Sequence, residues 1–308
     1  MEMELNYMAL AVPLFLFFIG LEYYFSKKLN KPVFNFNSSI ANMNVGVAER
    51  LIDLFTAGAF YYFYAYLYEH FALFHIEEGV LLWIALILAT DFVWYWYHRM
   101  GHEINLFWGF HVVHHTSEEF NYTAGTRITI FQAVLRTGCW AVLPIMGFPP
   151  GMITTMLIIH GVYPFFTHTQ LIGKLGILEY VLVTPSHHRV HHASNEKYLD
   201  KNYGDMFIIW DKLFGTFAEE EEDELQYGLT KPVDSNSFLW QHFHYLVELG
   251  YAVQRQEGFG NKVRVVFGSP SDFDPSLRAI AEKQFLSKNK VRARSRKFRD
   301  YVLGQFVV

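Results

Sequence analysis

Long apolar stretches separated by short polar segments run through the chain and set out its elements before any motif is considered. Tyr7–Phe25 carries one charge, Glu22, in nineteen residues, and Ile52–Leu67 is apolar and rich in tyrosine, with Asp53 near its start. Val80–Tyr97 runs for eighteen residues with a single charge, Asp91. At about 1.5 Å per residue such a helix covers roughly 27 Å, close to the hydrocarbon thickness of a bilayer. Two shorter blocks, Val134–Phe148 and Gly151–His168, meet at the turn Gly147-Phe148-Pro149-Pro150-Gly151. They predict a helical hairpin that crosses only part of the way. The expectation is an all-α, multispanning integral membrane protein with four or five membrane helices. Composition agrees, with 52% hydrophobic and 18% charged residues among 308.

Charge placement gives an orientation. The first block begins beside Glu2 and Glu4 and shows no small-residue cleavage site before Lys27, so it reads as an anchor rather than a secretory signal. Lys27, Lys28 and Lys31 follow it, and the bias of cytoplasmic loops toward lysine and arginine puts that loop in the cytoplasm. The next two blocks join through His75-Ile76-Glu77-Glu78-Gly79, which lacks both residues, and return the chain to the cytoplasmic face at His98. Asp91 is the odd member of its block, since a carboxylate in a membrane helix is costly and marks a functional candidate. It stands about 10 Å before His98 along the axis. It is therefore expected to support a histidine on another helix or to pair with a tyrosine or arginine.

Candidate chemistry is concentrated in histidine. Of fifteen histidines, five fall within His98–His115 and four more within 187–192. His98 and His102 are four apart; His111, His114 and His115 are spaced i, i+3, i+4; His188, His191 and His192 repeat that spacing. On helices each set projects from one face, and imidazoles so stacked converge on a transition metal. Isolated histidines such as His70, His75, His242 and His244 carry no such expectation. Eight imidazoles exceed what one ion accepts, so two metals are the natural count. His168, nineteen residues before His187, is the better ninth ligand. His160 lies eight residues earlier on the same helix, about 12 Å away, and is expected to be buried structurally. The single cysteine, Cys139, removes any thiolate cluster from the site. On spacing alone two zinc ions fit as readily as two irons. A metal transporter and a non-catalytic zinc-holding membrane protein stay open beside an enzyme.

The stretches HRMGHEINLFWGFHVVHHTSEEFN, THTQLIGKLGILEYVLVTPSHHRVHHASN and DKNYGDMFIIWDKLFGTF, followed by YGLTKP, resemble the fatty acid hydroxylase and sterol desaturase superfamily of membrane di-iron enzymes. The likeness spans roughly Asp91 to Pro232. It implies that His98, His102, His111, His114, His115, His188, His191 and His192 bind two iron ions, with His168 a further ligand, and that Glu103 is a catalytic residue. Pro164 departs from the family pattern. The resemblance also implies an oxygen-dependent lipid monooxygenase or hydroxylase at the cytoplasmic membrane surface, closest to those that cleave glycerol ether lipids. Electrons would come from tetrahydrobiopterin or another external reductant. A fatty acyl, sphingoid or sterol-like substrate is the alternative.

The chain then divides into N-terminal membrane helices (1–79), a hydroxylase-type catalytic domain (80–232) and a cytoplasmic extension (233–308). In the extension, Phe238–Val253 reads as an amphipathic helix and 254–275, with three glycines and two prolines, as a linker. Ser276–Arg299 reads as a basic helix, either drawn to an anionic leaflet or simply solvated. The acidic run Glu219–Glu224 reads as a solvated loop. A net charge of −5 on a multispanning chain leaves no place for nucleic acid.

Overall fold

The apolar blocks become helices in a computed structural model that describes residues 7–222, 224–233, 235 and 237–285. In chain order these are α1 (Tyr7–Lys28), α2 (Phe36–Phe71), α3 (Val80–Glu103), α4 (Asn105–His115), α5 (Gln132–Trp140) and α6 (Val142–Met146). They continue as α7 (Pro150–Thr167), α8 (Pro185–His192), α9 (Ile209–Phe214), α10 (Phe238–Gln254), α11 (Phe259–Phe267) and α12 (Ser276–Phe285). Among the described residues there is no strand, only the isolated bridges Leu182–Phe207 and Ala193–Tyr227. The all-α expectation holds.

Several boundaries differ from the sequence reading, each for a local reason. The second helix begins at Phe36 rather than Ile52, because the Asn35 side chain accepts the backbone N–H groups of Asn37 and Ser38 and caps it. The first arm of the hairpin breaks into α5 and α6. Gly147 ends α6 at φ +102°, and a side chain there would meet the Phe74 carbonyl. The stretch read as a linker contains α11. Beyond Phe285 the basic run lies outside the described residues. Among the described residues one helix, Val80–Glu103, is long and apolar enough by itself to cross a membrane.

A core of Tyr64, Leu82, Leu86, Trp140, Leu143, Met152, Ile153 and Met156 joins α2, α3 and α5–α7. At the other end of α3 the chain turns sharply at Ile104 into α4, which packs on α3 and is covered by α10. Exposed apolar side chains line the outside of the helices; Phe55, Tyr62 and Leu81 are 83%, 73% and 81% exposed.

Buried carboxylates fasten the bundle. Glu22, the lone acid of α1, accepts the Tyr122 N–H at 2.7 Å and the Thr169 hydroxyl at 2.5 Å. Asp91 pairs with neither a tyrosine nor an arginine. It accepts the N–H groups of Met206 (2.8 Å) and Phe207 (3.1 Å) and the Trp210 indole (2.9 Å). The nearest histidine on another helix is His160, at 3.7 Å. The acidic run is largely exposed, as expected, with Glu219 and Glu221 in exposed pairs with Lys174 and Lys197; Glu220 alone turns in, to grip Arg189.

Close approach of α2 to the loop at Thr126 depends on Gly46, where a Cβ would lie 2.6 Å from the Thr126 carbonyl oxygen. Gly46→Ala should therefore lower the melting temperature in detergent, at a cost of about 1–3 kcal/mol for overpacking. Gly58→Ala, with nothing within 4 Å of the added carbon, should leave it unchanged or slightly raised. Equal melting of the two variants would contradict the packing.

Candidate metal centre

The three histidine boxes meet where α3, α4 and α8 converge. All nine candidate ligands come together, in two groups: His98, His102, His111, His115 and His191, and His114, His168, His188 and His192, each within 4.8 Å of its groupmates. The boxes do not each serve one point, as spacing alone suggested. Pairs four residues apart stay together, whereas His114 crosses to the second group and His191 to the first. Adjacent helical residues diverge by about 100°, so His114 and His115 cannot face one ion. That divergence interleaves the boxes between two centres.

Backbone carbonyls aim the rings. The Nδ1 atoms of His98, His114, His168 and His191 lie 2.8, 2.8, 2.6 and 2.9 Å from the carbonyl oxygens of Tyr203, Arg127, Pro164 and Lys201. A carbonyl can only accept, so each Nδ1 carries the proton and each Nε2 presents a bare lone pair. The lone pairs of His98 and His168 each point at the Nε2 of a neighbouring ring. His98 and His111 Nε2 atoms stand 3.1 Å apart, and those of His188 and His168 3.0 Å. The Nε2 atoms of His102 and His191 are buried with no partner.

Only a cation or a proton makes such a cluster favourable, and burial opposes the proton. Desolvation holds His114 down at about 4. Desolvation, then repulsion between neighbouring rings, holds His111, His115, His188 and His192 well below the ordinary histidine value. The rings are therefore neutral at pH 7 and need not shed protons to bind metal. At about 2.1 Å from a shared ion, ligand nitrogens stand about 3.0 Å apart at 90° and about 3.4 Å at the tetrahedral angle. The observed 3.0–3.2 Å spacings fall in that range. Five nitrogens in one group exceed the four that structural zinc takes. The donor sets thus fit two metal ions, the larger group favouring an ion of higher coordination number.

The supports come from residues that motif reading gave no role, although Asn202 and Asp211 lie in the matched stretch DKNYGDMFIIWDKLFGTF. Asn202, at φ +57°, donates to the carbonyls of His187 and Ala218 and accepts the Ala218 N–H. Asp211 accepts the N–H groups of Tyr203 and Gly204. Together they hold the Lys201 and Tyr203 carbonyls toward the rings. Arg127 is fully buried, donating to the Val113 carbonyl, Asn42, Gln241 and Thr116 while its own carbonyl takes His114. No spacing pattern betrays a backbone acceptor; the matched stretch around Asn202 was the available signal.

The other candidates sit apart. Glu103 follows His102 but turns to Arg99 at 2.9 Å, outside both groups. His160 is buried and paired with Asp205, as a structural histidine would be. His187 joins Thr184 in capping α8, and His242 and His244 lie against carbonyls of their own helix α10. A cavity of about 60 Å³ runs beside the centre, reached by ligands of both groups (His98, His111, His114, His168 and His188).

Residues 83–216 match the fatty acid hydroxylase family. The chain is 36% identical over 267 residues to alkylglycerol monooxygenase of Homo sapiens, covering 86% of this chain and 60% of that protein. It is 34% identical over 281 residues to alkylglycerol monooxygenase of Danio rerio, covering 90% and 63%. Ornithine lipid hydroxylase OlsE of Rhizobium tropici is 27% identical over 135 residues, 44% of this chain and 40% of that one. The chain thus spans about 60% of the length of its alkylglycerol monooxygenase relatives from these two animals. No solved structure matches.

Purified protein should hold two metal ions per chain by elemental analysis. His114→Ala should empty the four-histidine group and leave about one. Asn202→Ala, which keeps all nine rings but loosens the carbonyls behind His98 and His191, should weaken metal affinity by about 10–100-fold. Two tightly held ions in the His114 variant would rule out the four-histidine site.

Proposed function

We propose, from the match of residues 83–216 to the fatty acid hydroxylase family, that the chain is a membrane-embedded, di-iron, oxygen-dependent monooxygenase that cleaves glycerol ether lipids. The observation carrying this reading is the pair of imidazole groups on one cavity, in a chain 36% identical to an alkylglycerol monooxygenase. Two irons held there would supply dioxygen activation for oxygen insertion at the carbon beside the ether oxygen, giving a hemiacetal that splits into an aldehyde and a glycerol hydroxyl.

The protein's own part is positional. Carbonyls of residues 127, 164, 201 and 203 fix the ring tautomers, and the bundle keeps the site dry. His98, His102, His111, His115 and His191 would hold one ion, and His114, His168, His188 and His192 the other. Glu103, one residue past His102 and tied to Arg99 outside both groups, is proposed as a catalytic residue on the family resemblance alone. Reductant comes from outside the described fold, as tetrahydrobiopterin or another donor.

In this reading α1, α2 and α3 span the bilayer, and the hairpin of α5–α6 and α7 enters it from the cytoplasmic side and returns, its turn packed on the loop between α2 and α3. The exposed apolar side chains face lipid, and the metal centre lies at the cytoplasmic surface, where a lipid can enter sideways.

Two experiments test the reading. Iron-loaded protein supplied with labelled 1-O-alkylglycerol, oxygen and tetrahydrobiopterin should release fatty aldehyde. Hydroxylation of an acyl, sphingoid or ornithine lipid without aldehyde would retain the hydroxylase and discard the ether substrate. In a Cys139→Ser background, cysteines placed at the exposed positions Glu118 and Glu196 should react only from the cytoplasmic side, and one at Glu78 only from the other. The reverse labelling would invert the orientation.

A further inference from the structure

Beneath the metal centre lies a buried group that the proposed reaction does not use. Asp91, His160 and Asp205 cluster at 0%, 0% and 4% exposure, and His160 and Asp205 line the same cavity as the metal ligands. His160 Nδ1 lies 2.5 Å from Asp205 Oδ2 and 3.7 Å from Asp91 Oδ1. Its ring stacks on Trp94, with centroids 6.3 Å apart and planes 28° apart. The remaining nitrogen, Nε2, is buried with no partner.

A third metal at this cluster fits poorly. Both oxygens of Asp91 already accept N–H groups from Met206, Phe207 and Trp210, and Asp205 is engaged by His160. What stays open is Nε2. A buried polar atom left unpaired is costly, and a bound group can recover that cost. A carboxylate accepts from Nδ1–H, so a neutral ring offers Nε2 as an acceptor, and a ring protonated by its two acidic neighbours offers it as a donor. A hydroxyl satisfies either state, because it both donates and accepts. The cavity of about 60 Å³ admits a few water-sized groups rather than a whole lipid. That size suits a hydroxymethyl end.

We propose that His160, held in place by Asp205, binds a free hydroxyl of the lipid substrate at the floor of the cavity and so helps set which carbon lies beside the metals. The inference rests on the cavity's being the substrate site of the proposed hydroxylase. It does not depend on the lipid's being an ether.

The test measures binding to the metal-loaded protein by equilibrium dialysis without oxygen or reductant, so turnover plays no part. Labelled 1-O-alkylglycerol is compared with the two alkyl propanediols that each lack one glycerol hydroxyl. Wild type should bind at least one of these about tenfold or more weakly. His160→Asn keeps an amide for Asp205 but withdraws the group at Nε2, and it should lose that preference. His160→Gln, which restores a polar atom near Nε2, should recover part of it. A change in packing alone would weaken all three lipids equally. Monoacylglycerol and its acylated propanediols form a second series. Discrimination in the acyl series alone would overturn the ether-lipid substrate and keep the role of His160. Absence of discrimination by wild type in both series, or its persistence in His160→Asn, would overturn the inference.

Discussion

The structure depends on one interaction repeated four times, an imidazole Nδ1–H given to a backbone carbonyl. Those of Tyr203, Arg127, Pro164 and Lys201 take His98, His114, His168 and His191. Each fixes a tautomer and turns Nε2 inward. A peptide carbonyl cannot rotate away without moving the backbone, so the rings are as rigid as the chain behind them. Nine imidazoles gathered into two groups, with Nε2 atoms as close as about 3 Å, keep that spacing only if the rest of the fold is rigid.

That rigidity comes from polar groups buried among apolar helices. Glu22 joins α1 to the loops carrying Tyr122 and Thr169. Asp91 joins α3 to the turn at residues 206–210, and Asp211 shapes the turn at 203–204. Arg189, inside the third box, is clamped by Glu220 and by the carbonyls of Thr169 and Ile172. Each is satisfied by several partners, the condition under which a buried charge is tolerated. The helices could slide on their apolar faces alone. These fastenings set the register between α3, α4, α7 and α8 on which the clusters depend.

The same placement gives the proposed enzyme two surfaces of opposite character. Outward faces of α1, α2 and α3 present large apolar side chains such as Phe17, Phe55 and Leu81. The inner ends gather imidazoles and carbonyls. A lipid meeting the first surface would need only a short lateral path to the second.

By itself the sequence pointed to the helical class, the third helix from residue 80, and nine candidate ligands that the fold brings together. These were legible because apolar runs and i, i+4 pairs are local: a helix repeats every 3.6 residues, and one turn is enough to align two rings. Tertiary structure decided how the boxes divide, since His114 and His191 leave their own boxes for the opposite centre only when α4 and α8 face each other. It also decided which carbonyls aim the rings, that the acidic run grips Arg189, and that His160 faces a cavity with one nitrogen open. Those are contacts between residues far apart in the chain, and a carbonyl is present at every position, so no local pattern distinguishes the few that matter.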